Sequence, residues 1–227
     1  MTAIGPRACA SQAARIALAL GLLQSAALVA TPLSPDELAA ACAQTEGPSH
    51  CARKVEEIQL KRLPNLATRD GAALKVSLYP TGIATFADTE ALNGGRTYAL
   101  WDFVSEINAV VLFATDGSDN SFVILQRTNG RRYGLPAEPK VSPDRARLAT
   151  ADFCPSNCVN ELAVWRVTKD GVFKELLWKP AQAWDDAGVS WKDAGTLVLE
   201  YTPAGGAPAS TLERRLTDPG WRRADAP

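Results

Sequence analysis

The chain has 227 residues, 46% hydrophobic and 22% charged, a composition that supports a buried core and excludes the disordered and fibrous classes. Its 24 basic and 25 acidic side chains leave a formal charge of -1. No basic run interrupts that balance, so the electrostatic footprint of a nucleic-acid-binding protein is missing.

Residues 1–30 have the layout of an export signal. Arg7 and Arg15 lead into an uncharged run from Ile16 to Ala30, and no acidic side chain precedes its end. That run falls short of the roughly 20 residues a helix needs to cross a bilayer core. The polar, proline-bearing Thr31-Pro32-Leu33-Ser34-Pro35 follows at once. Cleavage near Ala30 therefore fits better than a retained anchor, with Ser25-Ala26-Ala27 offering a second set of small residues. Lipidation would need a cysteine directly behind the run, but Cys9 comes too early and Cys42 lies beyond Asp36 and Glu37. The expectation is a periplasmic protein with no stable membrane insertion after cleavage. Loss of Arg7 and Arg15 takes its formal charge from -1 to -3.

Residues 31–70 read as a helical cap. Ser34 can cap a helix over residues 34–44, Pro35 suits its first position, and Glu37 stands three residues after the cap. Gly47-Pro48-Ser49 breaks that helix, and residues 52–63 fit either helix or strand. The cysteines beyond the signal form two close pairs, Cys42 with Cys51 and Cys154 with Cys158. In an oxidising compartment an even count implies disulfides, and of the three possible connectivities the local one has the smallest loop-closure cost. The C-x3-C spacing of Cys154-Pro155-Ser156-Asn157-Cys158 departs from thiol oxidoreductases, and no second ligand pair stands near it to form a metal site.

From Gly71 to the C-terminus the chain reads as a β-repeat domain. Strands are predicted over 74–79, 82–87, 97–103, 109–114, 122–128, 147–153, 161–168, 173–178, 196–201 and 212–217. Val110-Val111-Leu112-Phe113 and Leu162-Ala163-Val164-Trp165 are apolar on both faces, as suits strands stacked between layers. Matched turns recur at Thr128-Asn129-Gly130, Thr168-Lys169-Asp170-Gly171 and Thr217-Asp218-Pro219-Gly220, followed by Tyr133, Phe173 and Trp221. Val141-Ser142-Pro143-Asp144 leads into Leu148-Ala149-Thr150 much as Val189-Ser190-Trp191-Lys192-Asp193 leads into Leu197-Val198-Leu199. Anchor strands near residues 74, 110, 147 and 196 are spaced by about 36, 37 and 49 residues. Repeats of that length, several strands each, suit radial blades.

The stretch Val141–Gly171, with its Ser-Pro-Asp turn, Arg-Leu-Ala-Thr-Ala strand and Asp-Gly turn, resembles one blade of β-propeller repeats of the WD and Tol-associated type. Residues 60–222 as a whole are similar to small exported bacterial proteins that carry such repeats and have no assigned activity. The resemblance implies an all-β, propeller-like stack of short antiparallel sheets with up to four blade-like units behind the cap. Two features depart from it: Arg145 stands where a glycine usually follows Ser-Pro-Asp, and the Trp101-Asp102 dipeptide is not repeated. An open curved stack or a β-sandwich is the alternative.

Chemistry is sparse. The single histidine, His50, reads as an exposed loop residue, no G-x-S-x-G turn is present to offer a serine, and the zinc-protease helix motif is absent. Asp102, Glu106, Asp152 and Glu161 stand at or near strand ends, where two carboxylates facing across a cleft would suit glycoside hydrolysis. Asp116-Gly117-Ser118-Asp119-Asn120 has alternating oxygen donors but reads better as a hairpin turn. Six tryptophans are many for this length. Trp165 and Trp178 suit a strand core. Trp184 and Trp191, flanked by Asp185, Asp186, Lys192 and Asp193, read as loop residues able to form a ligand or partner patch, with Arg131, Arg132 and Tyr133 as a cationic rim. These features point to a non-enzymatic binding domain for an envelope protein, with no cofactor or metal. The alternatives are a cell-wall glycan-binding module using exposed tryptophans and a carboxylate-dependent glycosidase-like hydrolase.

Overall fold

A computed structural model describes residues 33–89 and 95–224, so the expected export signal lies outside the described residues. Ser34 caps helix α1 (Pro35–Cys42): its hydroxyl accepts from the Glu37 amide, while the Glu37 carboxylate accepts from the Ser34 amide. This reciprocal pairing satisfies two amides that would otherwise lack partners. Residues 52–63, open to either reading in sequence, fall mostly within helix α2 (Pro48–Arg62). Its buried residues Ala52, Val55, Glu56 and Gln59 recur at helical spacing. His50 is exposed, in the first turn of α2 and not in a loop. Both disulfides take the local pairing, Cys42 with Cys51 and Cys154 with Cys158. Among the described residues no helix is long and apolar enough to cross a membrane.

Among the described residues four separate antiparallel sheets follow, none closed on itself. Sheet I comprises β1 (Ala67–Asp70), β2 (Ala73–Ser77) and β3 (Ile83–Ala87). Sheet II comprises β4 (Arg96–Val104), β5 (Ala109–Asp116), β6 (Asp119–Gln126) and β7 (Arg132–Leu135). Sheet III runs through β8 (Lys140–Val141), β9 (Arg147–Asp152), β10 (Glu161–Thr168) and β11 (Gly171–Trp178), and sheet IV through β12 (Trp184–Asp193), β13 (Thr196–Pro203) and β14 (Ser210–Arg215). The last strand, β15 (Arg222–Arg223), leaves sheet IV and pairs with β11 on the edge of sheet III. β1 shows that sheet pairing begins before residue 71, inside the segment expected to be cap.

The anchor strands read from the repeat are the second strands of the four sheets, β2, β5, β9 and β13. Two-faced burial explains their apolar character: Ala109 to Thr115 in β5 are all buried. One apolar cluster joins Leu74, Val76 and Phe86 of sheet I to Leu100, Leu112 and Leu125 of sheet II. A second joins Val111, Ile124 and Leu135 of sheet II to Leu148 and Val172 of sheet III. A third joins Leu162 and Val164 of sheet III to Trp184, Leu197 and Leu199 of sheet IV. Each sheet thus buries side chains against the next in chain order.

Helix α2 covers the open edge of β4. The Glu56 carboxylate accepts from the Leu100 amide at 2.8 Å, and the Asp88 carboxylate accepts from the Tyr98 amide at 2.8 Å. Arg69 donates to the Tyr98 carbonyl at 2.6 Å, and Gln59 donates to the Trp101 carbonyl at 3.0 Å. Arg69 and Arg53 also neutralise Glu56. Side chains therefore complete the hydrogen bonds that an uncovered edge strand would offer to other chains.

Candidate cavity at the first strands of three sheets

A cavity of about 540 Å³ opens where the first strands of sheets II, III and IV meet the helical cap. Its origin is local. In the β4–β5 ladder Leu100 faces Leu112 and Asp102 faces Val111, so Trp101 is an extra, bulged residue. A bulge breaks the alternation of side chains along a strand and re-aims them. Trp101 and Asp102, adjacent in sequence, consequently both reach the cavity. The Trp101 ring is held edge-on to Phe122, with centroids 5.6 Å apart, and lies 5.9 Å from Phe113.

A polar chain runs along the wall. The Trp101 indole donates to the Glu138 carboxylate at 3.1 Å, and Glu138 pairs with the Lys140 ammonium at 2.8 Å. The Lys140 main-chain carbonyl then accepts from the Trp191 indole at 2.8 Å. Three sheets are linked through these four residues.

Two further carboxylates, Asp102 and Glu106, line the same cavity. Burial pushes the half-buried Asp102 carboxyl above its ordinary range. The amide of Phe103, which donates to it at 2.8 Å, pulls the other way, as does Lys140, while the Glu138 and Glu106 carboxylates add to the rise. Glu106 sits exposed on a single 3-10 turn, Ser105–Ile107. Arg145 is at the rim, and its φ of 63° is left-handed. This is a backbone conformation that glycine adopts without the steric cost a Cβ carries.

No protein-family model matches this chain, and no curated protein matches it.

The expected patch is not assembled in one place. Trp184 is a correction: it is 5% exposed, stacks on Tyr201 with centroids 4.0 Å apart, and packs against Phe153 and Trp178. The reason is that residues 184–193 form a strand and not a loop. Trp184, Val189 and Trp191 turn toward sheet III, whereas Asp186, Ser190 and Lys192 face out. The charged flanks hid that alternation, because aspartate and glycine are poor strand formers. Trp191 does reach the cavity. Arg131 and Tyr133 instead bind the Asp170 carbonyl and so tie the turn of sheet II to that of sheet III. Arg132 lies 4.0 Å over the Phe86 ring and donates to the Thr85 carbonyl of sheet I. These three residues lie between sheets as ties.

The four expected carboxylates divide. Asp102 and Glu106 share the cavity, whereas Asp152 accepts from the Val159 amide beside the Cys154–Cys158 disulfide, and buried Glu161 pairs with Lys174. Residues 116–120 carry the hairpin turn between β5 and β6, with Gly117 in the left-handed region. Among the described residues no three or more His, Cys, Asp or Glu side chains are placed to hold a metal ion. Glu138 and Lys140 had no distinguishing signal in the sequence; only the approach of β8 to β4 and β12 gives them a role.

Proposed function

We propose that this chain is an exported envelope protein that acts by binding, and that its seat is the cavity between β4, β8 and β12. The arrangement of its sheets is read as an open, propeller-like arc of four blades in which α2 covers the inner edge of the second. In support, first strands of three successive sheets line one space and each sheet packs on its neighbour.

The single observation that carries the reading is the composition of the cavity: the indoles of Trp101 and Trp191 beside the carboxylates of Asp102, Glu106 and Glu138. Indole faces and carboxylates together favour an ammonium or guanidinium group. A basic side chain presented by a protein of the envelope fits that chemistry. The test is capture from an envelope extract with the mature domain, run beside Trp191→Ala and Glu106→Gln. A partner retained by the parent and lost by both folded variants supports the reading; a partner retained equally by both variants removes the cavity from it.

A cell-wall glycan is the alternative ligand, and with Trp184 buried it rests on Trp191. Tryptophan fluorescence titrated with peptidoglycan fragments tests it. One observation favours a hydrolase as a further reading: Asp102, raised above its ordinary range, shares the cavity with Glu106. Two carboxyls sharing one cleft are the pairing used in glycoside cleavage. Release of reducing ends from envelope glycans, abolished by Asp102→Asn, would replace binding by catalysis.

A further inference from the structure

We propose that a second groove, between sheet III and the crossing strand β15, is a binding site for an organic oxyanion, a carboxylate or a phosphate carried on an apolar body. The groove has a volume of about 380 Å³ and shares no lining residue with the cavity described above.

The argument begins with a like-charge pair. Arg147 of β9 and Arg166 of β10 stand directly opposite each other in the ladder. Like charges so placed destabilise a sheet unless an anion lies between them. Glu175 of β11 takes that place, accepting from Arg147 at 3.1 Å and from Arg166 at 2.5 Å. Burial works to raise the Glu175 carboxyl, and the two guanidinium groups outweigh it, so the group is held below its ordinary range.

Strand β15 then adds a third guanidinium. By crossing from sheet IV it sets Arg223 opposite Leu176, and the Ala224 amide donates to the Glu175 carbonyl at 3.1 Å. Among the described residues the Arg223 guanidinium has no carboxylate partner, and Lys174 is already paired with Glu161. Asp144 also lies 3.9 Å from Arg147, so three guanidinium groups against two carboxylates leave a local charge of +1 in a chain whose formal charge is -1. The floor is apolar, made by Phe173, Leu176 and Leu216.

Arginines on an edge strand also keep edges from pairing, and that accounts for the charge of β15. It does not account for two more arginines facing each other across one acid above an apolar floor. Guanidinium forks match the geometry of carboxylate and phosphate oxygens, and the floor suits an attached hydrocarbon. Glu175 acts as a built-in competitor for the incoming oxyanion.

The experiment is a calorimetric titration of the full mature chain with octyl phosphate and with octanoate, and with 1-octanol as the neutral control. Saturable binding of an octyl anion is expected, and the tighter of the two distinguishes phosphate from carboxylate. Arg223→Gln and Arg166→Gln are each expected to weaken it about tenfold, as loss of one charge-assisted hydrogen bond does. Glu175→Gln is expected to tighten it, because the internal carboxylate no longer competes; a groove with a purely structural role gives no such gain. Equal binding of 1-octanol, unchanged affinity in both arginine variants, or no saturable binding of either anion would overturn the proposal.

Discussion

The side-chain amide of Gln59 donates to the main-chain carbonyl of Trp101 at 3.0 Å, joining α2 to the bulge that shapes the cavity. Gln59 is only 2% exposed, and the carbonyl it serves belongs to the residue left unpaired in the β4–β5 ladder. Gln59→Leu keeps the volume but leaves that carbonyl without its partner. A loss of about 1–3 kcal/mol is expected, the usual cost of an unsatisfied buried polar group. Urea denaturation checks it: the midpoint falls and the slope is unchanged.

Asp102 makes stability depend on pH with a definite sign. Its carboxyl is raised in the folded state by burial and by the neighbouring Glu138 and Glu106 carboxylates. A raised acid binds its proton more tightly folded than unfolded. Its contribution is therefore fully present below the ordinary aspartate value of 3.8 and is lost as pH climbs through the folded value. Asp102→Asn keeps an acceptor for the Phe103 amide and removes the charge. The variant is expected to gain on the parent as pH rises from 3 to 7; a constant difference in denaturation midpoint across that range would contradict the assignment.

Trp184 and Trp191 lie on one strand yet answer different questions. Trp184→Ala opens a hole among Phe153, Trp178 and Tyr201, and a loss of about 3–5 kcal/mol is expected. Trp191→Ala removes a partly buried ring and one hydrogen bond to Lys140, so its cost is smaller and its effect falls on the cavity. Thermal unfolding of the two variants side by side measures the contrast.

Arg145 occupies a left-handed backbone position in the Ser142-Pro143-Asp144 turn, where a side chain with a Cβ costs roughly 1–2 kcal/mol. The turn itself is held by Ser142 and Asp144, whose side chains bond each other at 2.6 Å, and by the Ala146 amide donating to Asp144. Arg145→Gly relieves the strain without touching those bonds. After the entropy lost by glycine on folding, a net gain of up to about 1 kcal/mol is expected. Equilibrium denaturation checks it.

Much of the architecture was legible because burial writes itself into short windows. β5 is apolar and buried from Ala109 to Ala114, so Val110-Val111-Leu112-Phe113 announced a strand with neighbours on both faces. The recurring turns at 128–130 and 168–171 follow the third strands of sheets II and III, where tight reversals need the residues found there. β12 was missed because Asp185, Asp186 and Gly188 interrupt it, and its alternation survives only in Ala187, Val189 and Trp191. β7 and β8 were too short to carry a pattern. Of the cavity, Trp191 and the pair Asp102 and Glu106 were visible as candidates, while Glu138 and Lys140 were not.

The sequence by itself determined the first helix of the cap, the two local disulfides and the spacing of the central strands, because capping, loop closure and apolar periodicity act over a few residues. Tertiary structure alone decided which residues meet. The turn at 217–220 repeats the reversals of the earlier sheets, yet the strand behind it pairs with β11 of sheet III. It likewise decided that a bulge at Trp101, the carboxylate of Glu138 and the ammonium of Lys140 share one wall. Such meetings depend on how whole sheets pack, a sum over long-range contacts that no local stretch of chain contains.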